Sequence, residues 1–75
     1  MNITPGLYRH YKGNLYEVLG IGRDADSHDD VVIYRALYDS EEFGNNAFWS
    51  RSLSVFAEKV EYEGKLVPRF ERVEK

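Results

Sequence analysis

The chain has no cysteine, two prolines and two histidines among its 75 residues. Without cysteine there is no disulfide framework, no thiolate zinc site and no cysteine nucleophile. No apolar run approaches the roughly 18 residues of a membrane span, and the N-terminus lacks the basic-then-apolar pattern of a signal peptide. The expectation is a cytoplasmic protein with no membrane contact. Basic charge is also scarce: ten Lys and Arg face 13 Asp and Glu, for a net charge of −3. A generic nucleic-acid binder carries a basic surface, so nucleic acid is not the expected partner. His10 and His28 are too few for zinc, and no glycine-rich phosphate loop is present, so no metal and no cofactor are expected. Ser27, His28 and Asp29 spell a catalytic relay only on paper, because the roles in such a relay are spatial and adjacent residues do not meet its geometry. The composition points away from an enzyme.

What the chain does have is aromatic side chains: six Tyr, four Phe and one Trp. A chain of this length makes a single domain, residues 1–75. Ordering costs of about 1.5 kcal/mol per residue nearly cancel the apolar burial open to so small a chain. Large rings, each able to bury roughly 150–250 Å², are one way to close that gap. Much of the aromatic content is therefore expected in the core.

The order of segments reads as β. Leu7–Tyr11 is a strand following Pro5-Gly6, and Lys12-Gly13-Asn14 has tight-turn chemistry. A second strand runs from Leu15 to Gly22, and Arg23 to Asp30 is an acidic loop. The third strand is Val31–Tyr38, rich in β-branched and aromatic residues. Asp39 to Asn46 is a second acidic loop, Phe48–Ser52 a strand, and Ser52 to Glu58 one helical turn. Lys59–Tyr62 and Leu66–Val73 flank a hairpin turn at Glu63-Gly64-Lys65. The class expected is all-β: a small SH3-like barrel or roll of about five or six short antiparallel strands with one short helical turn.

Centring the first acidic loop on Asp26 sets a register. Leu15 faces Leu37, Leu19 faces Ile33, Ile21 faces Val31 and Glu17 faces Arg35. On the other face Tyr16 meets Ala36, Val18 meets Tyr34 and Gly20 meets Val32. Glu17 and Arg35 interrupt otherwise apolar rows, and one register explains both as a cross-strand ion pair. Gly20 suits a bulge or a sharp bend, and a bulge shifts the register beyond it. Both faces read as apolar, which leaves the inward face open.

Residues Gly6 to Gly20 (GLYRHYKGNLYEVLG) closely resemble the opening of a family of small bacterial proteins catalogued as domain of unknown function 1653. Val32–Tyr38 (VIYRALY), Trp49–Phe56 (WSRSLSVF) and Pro68-Arg69-Phe70 resemble the same family. Ser52 stands where the family usually has proline and Val55 where it usually has methionine, and the acidic loop before Trp49 is longer. The resemblance implies a small SH3-like β-barrel. It implies no catalytic residues, ligand or activity.

Several motifs compete for a function. Ala36-Leu37-Tyr38-Asp39 mimics the opening of eukaryotic SH3 domains, but it sits mid-chain, Trp49 follows too soon, and the P-x-x-Y segment of the peptide groove is missing. Asp24, Asp26, Asp29 and Asp30 suggest calcium. An EF-hand beginning at Asp24 needs glycine sixth and glutamate twelfth, where Asp29 and Arg35 stand. A solvated loop fits the cluster better. Arginines beside aromatics are the stronger set: Arg9 between Tyr8 and His10, Arg35 after Tyr34, Arg51 near Trp49, and Arg69 before Phe70. Arginine forks bind carboxylate or phosphate bidentately and stack on aromatic planes. Trp49 and Arg51 share a face of their strand. The plainer alternative ties Arg35 to Glu17 and lays the stems of Arg51 and Arg69 along the core edge.

Charge is uneven along the chain, because the acidic residues concentrate between residues 24 and 47. Such a dipole orients a partner, and it also serves solubility. The expectation is a non-catalytic binding module with a basic-aromatic surface of Arg35, Trp49 and Arg51, joined by Tyr8, Arg9 and Tyr38. Its partner is an anionic small molecule, a peptide or a protein. Two alternatives stand beside it: self-association through an edge strand such as Leu66–Val73, and a metal-assisted enzyme using the acidic loop.

Overall fold

The computed structural model describes residues 3–73. Strand β1 (Gly6–His10) turns into β2 (Leu15–Arg23) at the expected site. There the N–H of His10 donates to Asn14 O (2.8 Å) and that of Gly13 to His10 O (2.7 Å), with Gly13 at φ +110°. Strand β3 (Asp30–Ala36) returns against β2. The loop between them is ordered by its own acid: Asp24 Oδ1 accepts the N–H of Asp26 (2.9 Å) and of Ser27 (3.0 Å). Those donors, acting on the charged form, hold the Asp24 carboxyl below the usual carboxylate range.

The register holds from Tyr16–Ala36 through Glu17–Arg35 to Val18–Tyr34 and then shifts by one residue. Leu19 is the extra residue of a bulge, so Gly20 meets Ile33, Ile21 meets Val32 and Gly22 meets Val31. The expected pairs Leu19–Ile33, Gly20–Val32 and Ile21–Val31 are displaced for that reason. Strand β3 stops at Ala36 instead of continuing to Tyr38. The second acidic loop folds into a small hairpin of its own, β4 (Asp39–Ser40) with β5 (Gly44–Asn45). Ser40 Oγ caps it by accepting the N–H of Glu42 and of Phe43, each at 3.2 Å.

Strand β6 (Phe48–Ser52) pairs with β3 and runs into α1 (Leu53–Phe56), one turn capped at Ser52, whose Oγ accepts the Val55 N–H at 3.4 Å. Strands β7 (Lys59–Tyr62) and β8 (Lys65–Pro68) form a separate hairpin around Glu63 and Gly64, both at positive φ as a tight type I′ turn requires. The strand expected over Leu66–Val73 is two strands. Pro68 cannot extend a ladder on its N–H side, and Arg69 is pulled aside. Its Nε donates to Val55 O (3.2 Å), its guanidinium reaches Glu58 (2.9 Å), and its carbonyl accepts the Tyr11 N–H (3.0 Å). Beyond it β9 (Phe70–Arg72) joins β1.

The main sheet therefore has the order β6-β3-β2-β1-β9. Among the described residues its hydrogen bonding draws an open sheet with β6 and β9 at the edges, and no closed barrel. What holds of the expected SH3-like barrel or roll is its antiparallel β content and its single helical turn. The inward face is the one carrying Tyr8, Val18, Val32, Tyr34 and Ala36, all buried. Phe56 from α1 and Phe70 from β9 close over it, stacked with ring centroids 4.1 Å apart and planes 5° apart. Tyr8 and Tyr34 meet Phe56 at 5.7 and 5.6 Å, so the core is largely an aromatic cluster. The opposite face keeps Leu19, Ile33, Leu37 and Phe48 exposed.

Candidate functional site

Cross-strand pairing places Trp49 beside Tyr34 and Arg51 beside Val32, so both look inward at the β6 edge of the sheet. The core aromatics stop short of this edge and leave a hollow of about 210 Å³ lined by Tyr16, Tyr34, Tyr38, Trp49 and Arg51. Its floor is rigid. Tyr16 packs edge-on to Tyr34 (5.4 Å), Tyr38 (5.6 Å) and Phe70 (5.6 Å). The Arg51 guanidinium sits 5.8 Å over the Phe70 ring, and its Nε donates to Tyr34 Oη at 3.3 Å. From the β4–β5 hairpin Phe43 stands edge-on to Trp49 at 4.9 Å.

Each polar group of this hollow is able to donate. Tyr34 Oη accepts from Arg51, so its own proton is free to point elsewhere. The hydroxyls of Tyr16 and Tyr38 lie 2.8 Å apart and share one proton, which leaves the other proton to donate. Burial, then the hydrogen bond to Tyr38, raises the Tyr16 pKa well above its ordinary value, so its hydroxyl stays neutral. Trp49 adds an indole N–H. Three ion pairs join described residues, Arg23–Asp30, Arg35–Glu17 and Arg69–Glu58, and Arg51 is in none of them. No carboxylate lines the hollow among the described residues.

His10 lies behind this group, its ring 5.0 Å from Phe70 and 6.3 Å from Tyr16, with Nδ1 accepting the Lys12 N–H at 3.2 Å. Burial lowers its pKa first, and the positive charges of Arg51, Arg69 and Lys12 lower it further. The imidazole thus senses the Arg51 charge.

Of the residues singled out by sequence, Trp49, Arg51 and Tyr38 meet in the hollow. Arg35 lies on the opposite face, its Nε 2.7 Å from Glu17 Oε1, so the sheet itself separates it from Arg51. Alternation along β3 requires this, since Tyr34 looks inward and its neighbour must look out. Tyr8 is core, its hydroxyl donating to Thr4 O at 2.9 Å. Arg9 lines a different hollow with Tyr11, Tyr62 and Glu71. The sequence reading missed Tyr16 and Tyr34 as members of the site, while His10 lines the other hollow beside Arg9. The pairing of Tyr16 with Ala36 and of Val18 with Tyr34 carried the signal, because it sets both tyrosines on the face shared with Trp49. As for metal, the described residues hold no group of three or more His, Cys, Asp or Glu placed to bind an ion. No helix among them is long and apolar enough to cross a membrane.

Comparison with known proteins agrees with the architecture. No curated protein matches. A crystal structure of a DUF1653 protein from Bordetella bronchiseptica is similar, with a TM-score of 0.86 and 35% identity, covering 96% of this chain and 88% of that one. Residues 6–72 match the family described as a protein of unknown function, DUF1653. The chain belongs to the DUF1653 family.

Proposed function

We propose that the domain is a non-catalytic binding module that captures a small anionic group, a carboxylate or a phosphate, in the hollow of Tyr16, Tyr34, Tyr38, Trp49 and Arg51. One observation carries the reading: every side chain lining the hollow is a hydrogen-bond donor, and its guanidinium has no carboxylate partner among the described residues. Nε is held by Tyr34, which fixes the fork and leaves its outer N–H groups for a ligand. The tyrosine hydroxyls and the Trp49 indole line the same hollow and supply further N–H and O–H donors. A volume near 210 Å³ suits one carboxylate or phosphate and little more, so the rest of the ligand lies outside across Trp49. Neither a carboxylate nor an imidazole lines the hollow among the described residues, which leaves proton abstraction without an obvious base there.

The experiment is an amide NMR titration with three probes: inorganic phosphate, a short peptide with a free C-terminal carboxylate, and the same peptide amidated. Saturable shifts confined to Tyr34, Trp49, Arg51 and their neighbours, absent in Arg51→Gln, support the reading. The free and amidated peptides separate a carboxylate ligand from a phosphate one. Flat spectra with all three probes, or equal shifts in Arg51→Gln, remove it.

A further inference from the structure

Strand β6 is the exposed edge of the main sheet, and its backbone has a definite phase. The Ala36 N–H donates to Ala47 O at 2.9 Å. In an antiparallel ladder the bonded pairs recur every second residue, so Trp49 and Arg51 direct their backbone groups at β3. Phe48, Ser50 and Ser52 direct theirs away from the sheet. The ladder with β3 runs without a bulge from Val31–Ser52 to Arg35–Phe48, and the strand contains neither proline nor lysine. The opposite edge, β9, is only three residues long, follows Pro68-Arg69, and carries Glu71 and Arg72. Edges are normally blunted in the way β9 is. Strand β6 is not.

We propose that β6 pairs antiparallel with β6 of a second copy of this chain, about a two-fold axis at Ser50, giving one continuous sheet across the dimer. Of the axes that set the outward-facing backbone groups of Phe48, Ser50 and Ser52 against their equivalents, the one at Ser50 engages the whole strand. Ser50 then exchanges both backbone bonds with its equivalent, and the N–H of Ser52 reaches the Phe48 carbonyl on either side, about four bonds in all. The Ser52 carbonyl is left to the first turn of α1.

Side chains fit the same axis. On the inward face Trp49 of each copy falls opposite Arg51 of the other, a directly facing cross-strand pair of an indole and a guanidinium. Trp49 is 37% exposed, and Arg51 is in none of the ion pairs among described residues. On the outward face the 69%-exposed Phe48 falls opposite Ser52, with Ser50 diagonal to it, so the large ring is received by small side chains. Pairing is thus self-complementary, as a two-fold interface must be. Trp49 and Arg51 also line the anion hollow, but the backbone pairing is tested on its own through Ser50, which does not line it.

Ser50→Pro tests it, because proline removes an N–H that faces away from β3 and deletes no bond within the fold. Sedimentation equilibrium of the wild-type chain is expected to show a monomer–dimer equilibrium across the micromolar-to-millimolar range. Ser50→Pro, with an unchanged circular dichroism spectrum, is expected to raise the dissociation constant at least tenfold. A wild-type chain monomeric throughout that range, or a folded Ser50→Pro variant that dimerises as well as wild type, overturns the proposal. If the variant does not fold, exchange of the wild-type Ser50 amide decides. Protection that grows with protein concentration supports the edge pairing, and exchange independent of concentration refutes it.

Discussion

Replacing Phe56 by Ala tests how the core is held. Phe56 is 1% exposed and stacks flat on Phe70 at 4.1 Å, while Tyr8 and Tyr34 abut it at 5.7 and 5.6 Å. Its removal leaves a cavity walled by rings fixed in three different strands, which cannot collapse to fill it. Phenylalanine-to-alanine changes in such sites cost about 3–5 kcal/mol. A chain of this length has a total stability of about 4–11 kcal/mol. The substitution is therefore expected to remove between about a quarter of the stability and all of it. One turn of helix has no stability of its own, so α1 detaches as its only buried side chain is lost. Urea unfolding followed by circular dichroism measures the loss. The Phe70 ring beneath Arg51 then loses its backing, and the anion response weakens in parallel. A cost below about 1 kcal/mol with an unchanged urea slope refutes the claim that this aromatic stack organises the domain.

Three further outcomes follow from single contacts. His10 has its pKa lowered in the fold by burial and by Arg51, Arg69 and Lys12, so the unfolded chain takes the proton first. The His10 contribution to stability is complete above pH 6.5 and falls as the pH drops through the lower folded value; a His10→Gln variant with the same slope between pH 7 and 5 contradicts this. The Arg35–Glu17 pair is only partly shielded, with side-chain exposures of 37% and 40%, so Glu17→Gln is expected to cost no more than about 1 kcal/mol in thermal or urea unfolding. Gly64, at φ +79° in the β7–β8 turn, tolerates a Cβ sterically but not conformationally, and Gly64→Ala is expected to cost about 1 kcal/mol by the same measurement.

Turn chemistry made much of the fold legible in the sequence. Gly13-Asn14, the Asp24–Asp29 loop and Glu63-Gly64 each end a strand for local reasons, and Phe48–Ser52 stands where it was expected. The register of β2 on β3 was readable up to Val18 because Glu17 and Arg35 are an unusual pair to place in apolar rows. Beyond it Gly20 marked a bulge and a shifted register, but not that Leu19 is the extra residue, since an insertion leaves little mark in an alternating pattern where Gly20 and Gly22 carry no side chains. The inward face was also hidden. Phe56 and Phe70 choose it, and both arrive from the far end of the chain. The candidate site divided along the same line: Trp49, Arg51 and Tyr38 were within reach of strand alternation, whereas Arg35 was grouped with them by proximity in sequence to Tyr34, which alternation places on the other side. The break at Arg69 depended on contacts with Val55 and Glu58 that no local pattern announces.

The most direct measurement of the anion site uses His10 as its reporter. Its imidazole pKa, followed by NMR, is measured in chloride and then in inorganic phosphate at matched ionic strength, for the wild-type chain and for Arg51→Gln. An anion held on Arg51 offsets one of the charges that lower the His10 pKa. The wild-type value is therefore expected to rise toward 6.5 in phosphate, saturably, while in Arg51→Gln it starts higher and does not respond. A wild-type pKa identical in the two salts, or an equal rise in Arg51→Gln, contradicts capture of an anion in this hollow.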